Sequence, residues 1–411
     1  RSNFKKRDSF FNRVKELTPG TNMTIKSGLK KKTNKYWSVK FLPENKPKKL
    51  IYEKVEELLL RSVKLRLRSD IPIAFCLSGG IDSSTLVAMA NKIVGSDITT
   101  FSIIDNDERY DESENIKKIV DHINCKNITI RTSKTDFIPK MEKIISYYYS
   151  PVPTISYYVH NQLCQRIKEE GFSVVISGTG ADEIFTGYYD HYLFWLYEMR
   201  DNENFMRFVE EMKNGYGQYI NNPLLKDPLK IIKNKNYSDH LYQSLEVFQN
   251  LIKKKSKYRF KDKSFCKDML RNRMLNELLE EIVPVILFSD DLNCMMHSIE
   301  NRSPYLDKEL VSYMYTIHSK DLIQDGFQKF LLRKTSKNYL PQSIVNSKKK
   351  VGFNASINSL IDLNDKNNID WLLNDSPIYE IIDKKKLKKL LIKDFSGNDY
   401  SKFLFSFISS K

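Results

Sequence analysis

The string Ser78-Gly79-Gly80-Ile81-Asp82-Ser83-Ser84 places two glycines, three hydroxyls and a carboxylate within seven residues. The hydroxyls and backbone amides of such a turn can wrap a phosphate, and a helix starting there adds its positive end. Glycine permits positive φ and close approach of the backbone to a ligand. Asp82 would repel a phosphate directly, so its chemistry is to hold a magnesium ion that bridges phosphate oxygens. The spacing and the absent lysine separate this turn from the G-x-x-x-x-G-K-[ST] loop. A second cluster runs Ser177-Gly178-Thr179-Gly180-Ala181-Asp182-Glu183-Ile184-Phe185-Thr186-Gly187-Tyr188. The chain has only 14 glycines in 411 residues, about half the usual share, yet five of them fall in these two segments.

Such turns need rigid elements behind them. Residues 71–77 are an apolar run of strand length, which predicts a strand buried on both faces. Residues 99–104, 128–131 and 173–176 read as further strands, with helices over about 83–94, 111–123, 135–149 and 157–170 between them. An earlier helix, from Ile51 to near Asp70, carries Ile51, Val55, Leu58, Leu59 and Val63 at helical spacing. This alternation predicts a parallel sheet covered by helices. Ligands of an open parallel sheet sit beyond the carboxyl ends of its strands, where both glycine clusters fall. Past Tyr189 the apolar spacing is helical almost throughout and predicts no further strand.

Residues 1–50 are lysine-rich, punctuated by Pro19-Gly20, Gly28, Pro43 and Pro47, and read as strands and loops with too little apolar surface to fold alone. An opening Arg1 rather than Met reads as a fragment or a processed product. With 41% apolar residues the chain has material for a packed core, which excludes a disordered tail. The apolar run 282–288 is far short of the roughly 18 residues of a membrane span. Five cysteines without a C-x-x-C pair point to a reduced, cytoplasmic protein, and Cys76 inside a predicted strand reads as core. The 67 lysines and arginines against 51 acids give a formal charge of +16. They are spread in short runs at 30–32, 253–255, 348–350 and 384–386, each readable as a solvated face or a binding patch. Charge so dispersed does not by itself call for a nucleic-acid partner.

The first turn resembles the pyrophosphate loop, S-G-G-x-D-S-S, of the ATP pyrophosphatase superfamily. The second is similar to the asparagine synthetase pattern S-G-[ED]-G-x-D-E-x-F-x-G-Y. Further matches follow in that family's order. Phe101-Ser102-Ile103 closes a strand and the acidic turn Tyr110-Asp111-Glu112-Ser113 follows it. Ser298-Ile299-Glu300-Asn301-Arg302-Ser303-Pro304-Tyr305-Leu306-Asp307 resembles S-x-E-x-R-x-P-[FY]-L-D. Lys329-Phe330-Leu331-Leu332-Arg333 resembles K-x-L-L-R, and Lys350-Val351-Gly352-Phe353 resembles K-x-G-F. The resemblance implies an α/β fold: a parallel-sheet ATP-pyrophosphatase core, of the adenine nucleotide alpha hydrolase type, with a mostly helical carboxyl-terminal extension. Residues 51–411 would be the synthetase domain. Residues 1–50, with Phe10-Phe11, Leu17, Pro19-Gly20 and Tyr36-Trp37, would be a linker and the last strands of a glutaminase domain, whose nucleophilic cysteine is absent.

For chemistry, the resemblance implies adenylation of a carboxylate by ATP, release of pyrophosphate, and attack by glutamine-derived ammonia. Leu77, Ser78, Gly79, Gly80, Asp82, Ser83, Ser84, Ile103, Ser177 and Gly178 would bind ATP. Asp82 and Asp182 would hold Mg2+, and Lys329 and Lys350 would reach the phosphates. The acid would be the aspartate side chain, although Thr179 stands where asparagine-forming members carry an acid that can take the ammonia's proton. The segment 151–156 also lacks an arginine found in some members. Those departures keep open a sugar uronate or peptide carboxylate, a tRNA-modifying ligase built on the same loop, or a nucleotide-binding protein without turnover. His160, His191 and His297 are conceivable stand-in bases, though a histidine in a helical stretch reads first as structural. Arg302 could bridge Glu300 or Asp307, and Glu183 reads as pointing away from the site at a helix start. Expected partners are small molecules, with no membrane, nucleic acid unlikely, and a homodimer compatible with the composition.

Overall fold

The computed structural model describes residues 11–28, 31–95, 97–220, 222–233, 246–253, 261–392 and 397–411. Phe10, Lys30, Lys254 and Lys255, which entered the readings above, lie outside the described residues. The chain opens with an exposed antiparallel hairpin, β1 (Thr21–Ile25) and β2 (Lys31–Lys35). The segment that follows is tied to the helical lobe by two backbone bonds, Leu42 N–H to Tyr315 O at 3.1 Å and Glu44 N–H to Thr316 O at 2.8 Å. Trp37 and Phe41 pack against the main core there, which supplies the apolar contact that the hairpin lacks.

The first long helix, α1 (Lys48–Arg66), buries Ile51, Val55, Leu58, Leu59 and Val63, the five residues that its spacing selected. It stops short of Asp70, where Ser69 Oγ accepts the Ile71 N–H and the chain straightens toward Pro72. Then strand and helix alternate: β3 (Ile73–Cys76), α2 (Ile81–Val94), β4 (Thr99–Ile104), α3 (Ser113–Ile123), β5 (Lys126–Arg131), α4 (Phe137–Tyr148), α5 (Ile155–Glu169) and β6 (Val174–Ile176). A fifth strand, β7 (Glu300–Arg302), completes a parallel sheet in the order β5-β4-β3-β6-β7. The central β3 is flanked on both sides, and Ala74 and Phe75 are buried accordingly.

The expectation of no strand beyond Tyr189 is corrected by β7. Its three residues are Glu, Asn and Arg, with no apolar alternation to betray a strand. What places it is the open edge of β6, which pairs Val174 with Glu300 and Ile176 with Arg302. Three apolar clusters support the sheet. One gathers α1, α2 and α3 with the helices after β6, another joins α4 and α5 to the last helix, Asn398–Ser410, and the third packs Ala74, Phe101 and Val175 of the sheet against Leu163, Cys164 and Ile167 of α5. Among the described residues no helix is long and apolar enough to cross a membrane.

Candidate active site

In the strand order β5-β4-β3-β6-β7 the chain leaves β3 toward β4 and leaves β6 toward β7, on opposite sides. The crevice at their carboxyl ends is the switch point where open α/β sheets take their ligands. Both glycine clusters empty into it. Gly79 has φ +79°, and a Cβ there would stand 2.9 Å from Asn115 Cβ, so the turn packs onto α3 only as glycine. Gly178 lies against the other turn, where a Cβ would reach Ser83 N at 3.4 Å. Ser78 and Ser83 share a hydrogen bond of 3.1 Å between their hydroxyls, and the Ser78 N–H donates to Ser83 Oγ at 3.1 Å.

The two turns form one end of a cavity of about 440 Å³. Its wall includes Leu77, Ser78, Gly79, Gly80, Asp82, Ser83, Ile103, Ser177, Gly178, Thr179, Asp182, Lys329 and Lys350, so nearly every residue expected at the site converges there. Ser84 does not. It sits inside α2 with its side chain fully buried and is not part of the cavity wall. The third hydroxyl of the first turn is a packing group.

A line of alternating charge runs along the wall of this cavity. Lys329 Nζ is 2.6 Å from Asp82 Oδ2 and 2.5 Å from Asp182 Oδ1, and Lys350 Nζ is 2.7 Å from Asp182 Oδ2. Lys350 also donates to Gly187 O at 2.9 Å. Burial would push the Asp182 carboxyl up, but the two ammoniums beside it hold it well below the ordinary carboxylate range. Burial would pull the Lys329 amine down, and Asp182 and Asp82 hold it above its usual value. Delivery of Lys329 to this point takes a left-handed backbone, φ +55°, at the start of the helix Phe330–Ser336. Thr186, at φ +65°, accepts the Lys329 N–H on its hydroxyl at 3.2 Å. Gly187 must lack a side chain, because a Cβ would collide with the Asp182 carboxylate and the Lys329 stem.

Two carboxylates from separate turns therefore converge on one cation. That donor set, completed by phosphate oxygens, suits Mg2+, which commonly takes one or two carboxylates plus phosphates. Asp82 and Asp182 would be its protein ligands.

The remaining candidates separate cleanly. Arg302 lies outside the cavity wall, with Nε 2.7 Å from Glu300 and Nη1 on the carbonyls of Arg66 and Arg68, while Asp307 pairs with Arg66 at 2.7 Å. Glu183 turns away from the cavity to accept the Tyr188 hydroxyl at 2.6 Å, and burial pushes its carboxyl up to about 7. His191 is sealed against Glu277 at 2.6 Å, and His297 faces Asn161 at 3.3 Å. Only His160 of the three reaches the cavity. Cys76 contributes to its wall as well, with burial pushing the thiol far up and hence inert. The lysine run 348–350 lines the cavity, whereas Lys384 pairs with Asp375 on an exposed surface.

Sequence reasoning missed Glu112 and Asp290 as wall residues. Burial pushes the Glu112 carboxyl up to about 8, against the pull of Lys349. The family-like turn around Tyr110 was the signal for it. Asp290 had none, because it comes from the middle of the helix Val283–Met296, far along the chain from any glycine turn.

The asparagine synthase family model matches residues 54–408. The chain belongs to the asparagine synthase family. Among its relatives, asparagine synthetase [glutamine-hydrolyzing] 1 of Bacillus subtilis is 24% identical, over 93% of this chain and 60% of that protein. The amidase chry2 of Gibberella zeae is 23% identical, over 83% of this chain and 58% of that one. A putative asparagine synthetase 2 of Methanocaldococcus jannaschii is 35% identical over a shorter stretch, 38% of this chain and 30% of its own. The chain thus spans about three fifths of the first two relatives. Membership in the asparagine synthase family agrees with the parallel-sheet core and the helical extension that the motifs implied.

Proposed function

We propose that this domain forms an amide from a carboxylic acid and ammonia with ATP as the activating substrate, releasing AMP and pyrophosphate. The array Asp82–Lys329–Asp182–Lys350 on the wall of the cleft is the observation that carries this reading. A carboxylate is a poor electrophile. Attack of its oxygen on the α-phosphorus of ATP makes an acyl-adenylate, and negative charge then grows on the departing pyrophosphate. Preorganised donors aimed at that charge supply the rate. Here they would be the Gly79 amide and the hydroxyls of Ser78 and Ser83, together with the ammoniums of Lys329 and Lys350. Leu77, Ile103, Ser177 and Gly178 would seat the nucleoside. Mg2+ on Asp82 and Asp182 would neutralise phosphate oxygens.

Ammonia would come from glutamine, through a glutaminase unit of which residues 1–50 are the end. Aspartate is the acid that the family suggests first. A different acid is the second reading, favoured by the far end of the cleft, where Thr179 offers no carboxyl and Asp290 contacts His160 and Thr179 instead of a lysine or arginine. Pyrophosphate release with ammonium, measured across aspartate, glutamate, uronates and carboxyl-terminal peptides, tests both. We expect acid-dependent release with one class, and release with none of them would remove the reading.

Lys350 gives a sharper check of the phosphate end. Its amine faces where charge develops, so Lys350→Ala should lower kcat by about 100-fold while KM for ATP changes by less than about fivefold. A change confined to KM would make Lys350 a ground-state binder.

A further inference from the structure

Resting on the amide-forming reading above, we infer that Asp290, coupled to His160, is the proton acceptor for the attacking nitrogen and takes the place of the acid missing at Thr179.

The geometry is specific. Asp290 comes from the helix Val283–Met296 and His160 from α5, and both line the cleft although each is more than nine-tenths buried. Ser177 and Thr179 share a hydroxyl hydrogen bond of 3.2 Å, and Thr179 Oγ1 donates to Asp290 Oδ2 at 2.9 Å. Asp290 is therefore wired to the same glycine turn that would carry the missing acid, from the opposite wall.

His160 completes the pair by position. Asn293 Nδ2 donates to Tyr157 O at 2.9 Å, and a carbonyl can only accept, so the amide orientation is fixed. The same Nδ2 lies 3.1 Å from His160 Nδ1. Nδ1 also stands 3.4 Å from Asp290 Oδ1. Carboxylate and imidazole therefore sit side by side on the cleft wall, next to the Thr179 hydroxyl.

Burial raises the affinity of Asp290 for a proton, opposed by His160 and by the Thr179 hydrogen bond. In the amide-forming step, the nitrogen lone pair forms the C–N bond to the acyl carbon of the adenylate. The C–O bond to the phosphate breaks and AMP leaves with its electron pair. One N–H proton passes to Asp290, directly or through the Thr179 hydroxyl, and from there to water. Atoms and charge balance with ammonia as the only co-reactant.

The test separates adenylation from amidation. With the acid that gives the fastest ATP–pyrophosphate exchange in the panel, exchange and amide formation are measured for the wild type and for Asp290→Asn. The ratio of ammonium-dependent amide formation to exchange should fall by about 100-fold in Asp290→Asn. Hydroxylamine is uncharged at neutral pH and loses its proton more readily, so it should bring the ratio back to within about tenfold of the wild type. An unchanged ratio with ammonium overturns the assignment. So does an equal fall with hydroxylamine, which would mean a structural role. Should Asp290→Asn fail to fold, His160→Gln addresses the same pair and should lower the ratio by about tenfold, again relieved by hydroxylamine. Absence of exchange with every acid in the wild type overturns the parent reading and this one with it.

Discussion

Asp182→Asn should cut pyrophosphate formation by about a thousandfold or more while the protein stays folded. Asp182 is the node of the charge line: both ammoniums bond to it, and it shares Lys329 with Asp82. The amide of asparagine keeps the shape but removes the charge that holds both lysines and, with Asp82, would hold Mg2+. The fold should survive, since Lys329 keeps Asp82 at 2.6 Å and Lys350 keeps the Gly187 carbonyl at 2.9 Å. Unchanged circular dichroism with loss of ATP–pyrophosphate exchange is the expected pair of results. Wild-type exchange in the variant would show that the array is a structural ion network. Asp82→Asn should behave in the same way, because its carboxylate faces the same ammonium from the other turn.

The convergence of the two glycine turns on one cavity was legible in the sequence because its parts are local. A strand, a glycine turn and a helix start are contiguous, so Ser78, Gly79, Gly80, Asp82 and Ser83 announce themselves within one window. Lys329 and Lys350 were legible only through resemblance, since a lysine by its type alone reads as a surface charge. Ser84 falls outside the cavity wall for a geometric reason: the helix has already begun there, and its rotation turns that side chain into the core. Strand β7 and Asp290 were illegible for a deeper one. The first is made of polar residues that pair only because β6 has an open edge. The second becomes a wall residue only when a helix more than a hundred positions away packs on α5 and meets Thr179. Pattern reading captures contacts that are short along the chain, and the acyl end of this cleft is assembled from contacts that are long.

That division matches the chemistry. In the proposed reaction adenylation needs the same phosphate apparatus whatever the acid, and the turns that would serve it are local. The residues proposed to handle the amine are joined by long-range contacts, where the threonine at 179 meets a carboxylate from another helix. The two ends can therefore vary independently.

The second large effect is expected at Lys329. Its ammonium is buried between two carboxylates, and removing one partner of a buried ion pair costs about 3–5 kcal/mol because a charge is left uncompensated. Asp182 would retain Lys350, so the stranded group is Asp82. Lys329→Ala keeps the same left-handed backbone demand at that position, so the loss reads the side chain and not the turn. We expect exchange to fall by about a thousandfold and Tm to drop by several degrees in the absence of divalent ions. The distinguishing measurement is thermal. With the ammonium gone, the space between Asp82 and Asp182 is free for a small hard cation, so millimolar Mg2+ should raise the Tm of Lys329→Ala more than that of the wild type. An equal Mg2+ response in the two proteins would mean that these carboxylates serve Lys329 alone. A larger response in the variant would mean that lysine and metal compete for one anionic seat between Asp82 and Asp182.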